Sequence, residues 1–325
     1  MSKFELLLKN FYNPFWWKDM AIPYIQKNLT KKYSEFRYSE SAPVCELMSE
    51  DWDNLIILDA CRYDQFESLN SFSSDLESRN SLGSATPEFL RENFAGKTYH
   101  DTVYVTANPM YRTQGLNDVF HDVVDVWELE WDSERRTVLP ETMKERTLET
   151  YRDYPNKRLI AHFMQPHYPF IGEAADVIGD HAGYEFAYRQ VQGQDAIRDD
   201  PTVWSLLEDG KVNEESVWKA YNENLNIVLG HVENLVEDFS EKTVVTSDHG
   251  NLVGERVLPF GSRQYGHPVG VYTDALRKVP WVEIEGNRRK EVKSEPPEDH
   301  ITDDHTTEAD STVTDRLADL GYVDQ

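Results

Sequence analysis

Two short apolar runs, each leading into an aspartate, constrain the fold of this chain more than any other feature. Asn54–Leu58 (NLIIL) runs into Asp59, and Lys242–Thr246 (KTVVT) runs through Ser247 into Asp248, His249 and Gly250. Runs of this length and texture fit strands buried on both faces, as in a parallel sheet covered by helices. Thr102–Thr106 and Leu159–Phe163 repeat the pattern. Val217–Phe239 sets Val217, Tyr221, Leu225, Val228, Val232 and Leu235 at helical spacing, which predicts a long amphipathic helix. Residues 61–70 read as the start of another. Strands alternating with helices mean an α/β domain with a mostly parallel sheet. In such sheets functional groups gather just beyond the carboxyl ends of strands, where Asp59 and Asp248 stand.

Composition narrows the function classes. The 325 residues are enough for a substantial core, and two cysteines do not make a disulfide framework. Asp and Glu total 59 against 33 Lys and Arg, a formal net charge of −26. That surface repels nucleic acid, and an acidic excess spread along the chain suits hydration in concentrated salt. No stretch approaches 18 uninterrupted apolar residues, and the N-terminus lacks the features of a secretory signal. The expectation is a soluble, cytoplasmic protein, with membrane association through its N-terminus kept open.

That N-terminus differs from the rest. Residues 1–37 carry seven Lys or Arg against three Asp or Glu, so 7 − 3 gives +4, interleaved with Phe4, Phe11, Phe15, Trp16 and Trp17. Two readings stand: a helix packed on the domain, or a segment lying on an anionic membrane surface. The expected organisation is a basic, aromatic helical segment over residues 1–50, a catalytic domain over 51–285, and a tail over 286–325 belonging to the same domain. Glu285–Asp310 is charged and Pro-containing, with little to bury, and reads as a solvated or flexible acidic segment. A short helix is expected at Val313–Leu320, ended by Gly321.

Asp59 and Asp248 could each be an ordinary strand-end turn former. Their company says more. Asp248 is followed by His249, and Asp59 opens Asp59-Ala-Cys-Arg-Tyr-Asp64. Carboxylate oxygens with an imidazole nitrogen suit zinc or manganese.

The motif DACRYD resembles the DxxRxD opening of the alkaline phosphatase superfamily, in its sulfatase-like and phosphoethanolamine-transferase-like branches. TSDHGNLVGE resembles the late SDHG element, HFMQPHYPFIG the H-x-x-x-x-H-x-P-Y segment, and YGHPVGVYTDALRKVPWVEI the late His followed by a Val-Pro strand. RLADLGYV resembles the short closing helix. The matches fall in family order over roughly residues 51–323. The resemblance implies an alkaline phosphatase-like three-layer sandwich with a mostly parallel central sheet. It makes Asp59, Asp248 and His249 ligands of a core Zn²⁺ or Mn²⁺, with one or two ions in all. The remaining core ligand is a hydroxyl nucleophile at a helix start, and Gly83-Ser84-Ala85-Thr86-Pro87 offers two. Ser84 follows a glycine and is the favoured nucleophile. Thr86 precedes Pro87 and suits a helix cap, with the nucleophile's role as its alternative. His167 and His267 match residues that hold a second metal or contact phosphate.

Arg62 suits a bidentate phosphate clamp or a pair with a nearby carboxylate. His162 sits on an expected strand, Cys61 packs as a small apolar residue, and His300 and His305 read as part of a solvated face. Sulfatases carry Cys/Ser-x-Pro-x-Arg, whereas this chain has Ser-Ala-Thr-Pro-Glu, and they use Asn where His249 stands. Both departures point from sulfate to phosphate. The expected activity is metal-dependent hydrolysis of phosphate esters, or phospho-group transfer, on a phosphorylated small molecule, lipid or glycan. The alternatives are a sulfatase-like enzyme and a non-catalytic, metal-stabilised protein of the membrane surface.

Overall fold

A computed structural model describes residues 9–17, 21–38, 40, 42–116, 118–179 and 201–297. Nine strands occur among them: β1 (Asn54–Asp59), β2 (Leu76–Asn80), β3 (Tyr99–Thr106), β4 (Phe120–Asp125), β5 (Arg158–Pro166), β6 (Thr243–Ser247), β7 (Leu252–Glu255), β8 (Gln264–Gly266) and β9 (Lys278–Ile284). Seven form one sheet in the order β2-β9-β6-β1-β5-β3-β4, and β7 with β8 makes a separate hairpin. β1 pairs in parallel with β5 and β6, β3 with β4 and β5, while β9 alone runs against its neighbours. The expected strands are all present: β1, β3 and β5 are longer by one to four residues, and β6 is shifted by one. The late Val-Pro strand is the antiparallel β9.

Alternation along β1 sets the layers. Leu55 and Ile57 point to one face and Ile56 and Leu58 to the other, as a period of two requires. All four are fully buried, each worth about 1.5–3 kcal/mol relative to exposure. Ile56 and Leu58 meet Phe66 of helix α2 (Tyr63–Leu69), Met143 of α4 (Pro140–Asp153) and Leu225, Val228 and Val232 of α6 (Glu214–Asp238). Leu55 and Ile57 meet Phe89, Leu90 and Phe94 of α3 (Thr86–Phe94). The result is the expected helix–sheet–helix sandwich. α5 (Val203–Glu208) packs Val203 and Trp204 against Tyr168 and Tyr221 in a smaller cluster.

The expected long helix is α6. Asn213 caps it by accepting from the Ser216 amide at 2.7 Å, and Glu214 and Glu215 complement its positive end. Its apolar stripe holds one buried amide, Asn224. That side chain donates to the Pro166 and His167 carbonyls, both at 3.0 Å, and accepts from Ile171 N at 3.2 Å. The polar group inside the core thus fixes the loop after β5.

Residues 286–297 are largely exposed but not loose. Arg289 bonds Asp51 and the buried Asp53 at 2.6 Å each, Lys290 Nζ donates to the Lys157 carbonyl at 2.9 Å, and Glu295 N donates to the His100 carbonyl at 3.0 Å. Charged groups with little apolar surface hold this strap on the amino-terminal edge of the sheet. His300, His305 and the expected helix Val313–Leu320 lie outside the described residues. At the other end, α1 (Ile22–Arg37) is helical as expected. It rests on the domain through buried Thr30 and Ser34, whose Oγ accepts from Tyr272 N at 3.1 Å. Phe4, Leu6 and the rest of residues 1–8 lie outside the described part.

Candidate metal centre

Because every strand of the large sheet except β9 runs the same way, the ends of β1, β3, β5 and β6 deliver Asp59, Asn108, His167 and Asp248 to one edge. The turn after β1 is tight: Ala60 has φ +58, and its amide donates to Asp248 Oδ1 at 2.9 Å. The same oxygen accepts from His249 N at 2.8 Å. Oδ2 is left to face Asp59, whose ligand oxygen, with one from Asp248 and a nitrogen of His249, forms a set all within 4.8 Å of one another. All three residues are fully buried. The glycine of Asp248-His249-Gly250 is required sterically, since an added Cβ would collide with the Ala275 carbonyl.

The imidazole of His249 is oriented for ligation. Nδ1 lies 2.7 Å from the Gly250 carbonyl, so it carries the proton and donates it there. Nε2 then turns its lone pair inward, 3.4 Å from Asp248 Oδ2 and 3.7 Å from Asp59 Oδ1. Burial pushes this imidazole down to about 4, so it stays neutral and able to ligate at ordinary pH. Burial first, then the Asp248 charge, holds the Asp59 carboxyl well above the usual carboxylate range, despite bonds from Asn108 and Thr86. Burial likewise raises Asp248, partly offset by His162 and its hydrogen bonds. Asp59 Oδ1 has no hydrogen-bond partner, and no Lys or Arg reaches either carboxylate among the described residues. Two buried carboxylates, an inward lone pair and an orphaned oxygen fit a divalent cation.

Of the two hydroxyls, only that of Thr86 enters this cluster. Oγ1 donates to Asp248 Oδ2 at 2.8 Å and lies 3.2 Å from His249 Nε2 and 3.5 Å from Asp59 Oδ2. The expected cap is corrected here. Ala85 occupies the N-cap, no side chain caps the helix, and Thr86 is the first helical residue with Pro87 second. Ser84 is engaged elsewhere. Its Oγ lies 2.7 Å from Glu88 Oε2 and accepts from Gly270 N at 2.9 Å. Glu88 also accepts the Ser84 amide at 2.8 Å and the Tyr272 hydroxyl at 2.9 Å. Burial opposes ionisation of Glu88, yet these hydrogen bonds prevail and hold its carboxyl below the usual range. Ser84 and Glu88 therefore tie the start of α3 to the loop Pro268–Tyr272.

The remaining histidines converge on the same edge. His167 and His267 meet Nε2 to Nε2 at 3.0 Å, and the His267 ring centroid lies 4.6 Å from that of His249. Nδ1 of His167 donates to the Tyr168 carbonyl at 2.5 Å. Burial, with neighbouring imidazoles, pushes His267 down to about 3 and His167 well below its usual value. His162 is fully buried on β5. The Tyr104 hydroxyl lies 2.7 Å from its Nδ1, and its Nε2 lies 3.8 Å from Asp248 Oδ2.

Of the two readings of Arg62, the geometry shows the pair with nearby carboxylates. Nε and Nη2 grip Asp64 at 2.8 and 2.6 Å, and Nη1 donates to the Asn251 carbonyl at 2.7 Å and Glu255 at 2.5 Å. Four of its five N–H groups are used inside the protein. Cys61 is buried and packs as expected.

Two contributors went unseen in the sequence. Asn108 donates to Asp59 Oδ2 at 2.6 Å while its own Oδ1 accepts from Met110 N at 2.9 Å. An Asn-Pro pair just past a buried strand was the available signal. Glu88 had none beyond its place three residues into α3.

No protein-family model and no curated protein sequence matches the chain. Among solved structures, it is similar to the integral membrane protein lipooligosaccharide phosphoethanolamine transferase A of Neisseria meningitidis, at 13% identity and a TM-score of 0.45. That match covers 87% of this chain and 59% of the transferase, so the chain spans under two thirds of that protein's length. The zinc complex of the C-terminal periplasmic domain of EptC from Escherichia coli matches at 14% identity and a TM-score of 0.45, covering 76% of this chain and 78% of that one. A phosphonate monoester hydrolase from Silicibacter pomeroyi matches at 11% identity and a TM-score of 0.41, covering 77% and 69%. The cytoplasmic expectation is withdrawn: the EptC domains are periplasmic, and the lack, among the described residues, of a helix able to cross a membrane assigns no compartment.

Proposed function

We propose that this chain is a metal-dependent enzyme that breaks phosphate esters through a covalent intermediate on Thr86. One observation carries the reading: the Thr86 hydroxyl lies within 3.5 Å of Asp59, Asp248 and His249 atoms, at the start of a helix. Asp59, Asp248, His249 and Thr86 would hold the core ion, zinc or manganese. Such an ion lowers the hydroxyl's pKa and neutralises charge on the phosphate.

The chain's own groups do the rest. Asp248 accepts the Thr86 hydroxyl hydrogen and takes up its proton as the oxygen attacks. As that oxygen bonds to phosphorus, the bond from phosphorus to the ester oxygen breaks, and the leaving oxygen takes up the proton that Thr86 gave to Asp248. Water, or an acceptor hydroxyl in a transferase, then attacks the phosphothreonine and frees Thr86. The positive end of α3 favours the anionic transition state. His167 and His267 would hold a second ion or hydrogen-bond the transferring group, with their neutral imidazoles available down to mildly acidic pH. The substrate class is a phosphorylated small molecule, lipid or glycan.

Turnover of p-nitrophenyl phosphate and bis-p-nitrophenyl phosphate with Zn²⁺ or Mn²⁺, beside p-nitrophenyl sulfate, tests this. Phosphate turnover that chelator abolishes supports the reading. Metal binding without turnover of any ester would favour the non-catalytic alternative, and turnover of the sulfate alone would favour a sulfatase.

A further inference from the structure

Helix α1 is amphipathic the wrong way round for a helix that serves only to cover the domain. It buries Thr30 and Ser34, both at 4% or less, and exposes Ile22, Ile25, Leu29 and Phe36 by 46–85%. Spacings of three, four and seven set these four on one helical face. Ahead of the helix, Tyr12 and Phe15 are 93% and 75% exposed. Eight of the fourteen large hydrophobic side chains exposed among the described residues fall between Phe11 and Phe36, so exposed apolar groups concentrate in this segment and are not general surface texture.

We infer that this face docks on a lipid bilayer carrying anionic headgroups. Charge selects the occupant. Residues 1–37 carry +4, so the remaining chain carries −26 − 4, or −30. Lys27, Lys32 and Arg37 are exposed on the apolar helix. Apolar and aromatic groups flanked by cations match an anionic lipid surface, and the strongly acidic remainder turns away from it. A second copy fits poorly. A two-fold contact through this face would bring the same cations together, and the other exposed hydrophobics of the described residues are scattered singly.

The face is also joined to the metal centre. The Ser34 hydroxyl accepts from Tyr272 N, the Lys31 side chain lies over Gly270, and Gly270 N donates to Ser84 Oγ beside the start of α3. His267 opens the same loop, and Val269 within it is 39% exposed. A bilayer on the outer face of α1 is therefore one helix away from the loop that borders the site.

Flotation of the purified full chain with vesicles tests the docking without using catalysis. Wild type binds phosphatidylglycerol/phosphatidylcholine vesicles at least 10-fold more than pure phosphatidylcholine. Ile25→Ser with Leu29→Ser and Phe36→Ser reduces that binding at least 10-fold, and Lys27→Gln with Lys32→Gln weakens the preference for anionic lipid. Both variants keep wild-type turnover of soluble bis-p-nitrophenyl phosphate. Failure of wild type to float, or equal flotation of the triple variant, overturns the inference. So does a lipid-free dimer that the triple variant converts to monomer, since the face would then belong to a second copy. Absence of turnover with flotation intact would remove the proposed enzyme activity and leave the docking standing.

Discussion

Replacing Asp59 by Asn separates a metal centre from a merely crowded pair of carboxylates. Asp59 and Asp248 are both fully buried, with ligand oxygens no more than 4.8 Å apart. At an effective dielectric constant of about 20, two unit charges at that distance repel by about 3 kcal/mol. Proton uptake relieves part of it. Asp59 is the group that takes the proton, since its folded pKa is raised well above 3.8. Without metal, the folded state binds a proton there that the unfolded chain releases. This site therefore lowers stability as pH rises from the ordinary carboxylate value through the folded one. Asn fills the same volume, still accepts from Asn108, and removes the charge. In chelator, Asp59→Asn is expected to be more stable than wild type at pH 7 by about 1–3 kcal/mol. Its stability should also change less between pH 4 and pH 7. With zinc at 100 times its dissociation constant, wild type gains about 2.7 kcal/mol and the variant far less. Urea unfolding with chelator and with zinc reads both effects. A metal-free variant less stable than wild type, or equal zinc stabilisation of both proteins, refutes the reasoning.

Thr86→Ala should abolish phosphate-ester turnover. Ser84→Ala should leave turnover measurable and cost about 1–3 kcal/mol in urea unfolding, because Gly270 N and Glu88 lose a buried partner. His167→Ala and His267→Ala should each reduce turnover by about 10²-fold or more, while elemental analysis finds the core ion retained. Arg62→Ala should destabilise by about 2–3 kcal/mol through its lost charged hydrogen bonds. Its KM for phosphate esters should stay near that of wild type, and a large rise in KM would return Arg62 to the substrate site.

β1, β3, β5 and β6 were legible because they are largely buried on both faces, while the half-exposed β2 and β4 went unseen. A run such as NLIIL has few other uses, and the aspartate after it marks the strand's end. The same logic located Asp248 and His249. What the sequence concealed depends on side-chain direction. Ser84 and Thr86 are two residues apart at a helix start, and only the packing of α3 on β1 decides which hydroxyl turns to Asp248. Gly83 takes part in that choice, since an added Cβ would strike the Phe89 backbone. Arg62 was ambiguous because its partner Glu255 lies 193 residues away in β7. The outward apolar face of α1 was hidden as well. Periodicity reveals a stripe, and only the fold tells which stripe is buried.

The most direct test of the central claim is to find the phosphorylated residue. Zinc-loaded protein is mixed with bis-p-nitrophenyl phosphate, quenched in acid within the first turnovers, digested and analysed by mass spectrometry. The account expects a phosphoester adduct on Thr86, absent from Thr86→Ala and from chelator-treated protein. An adduct on Ser84, or steady turnover with unmodified Thr86 at every quench time, would contradict it.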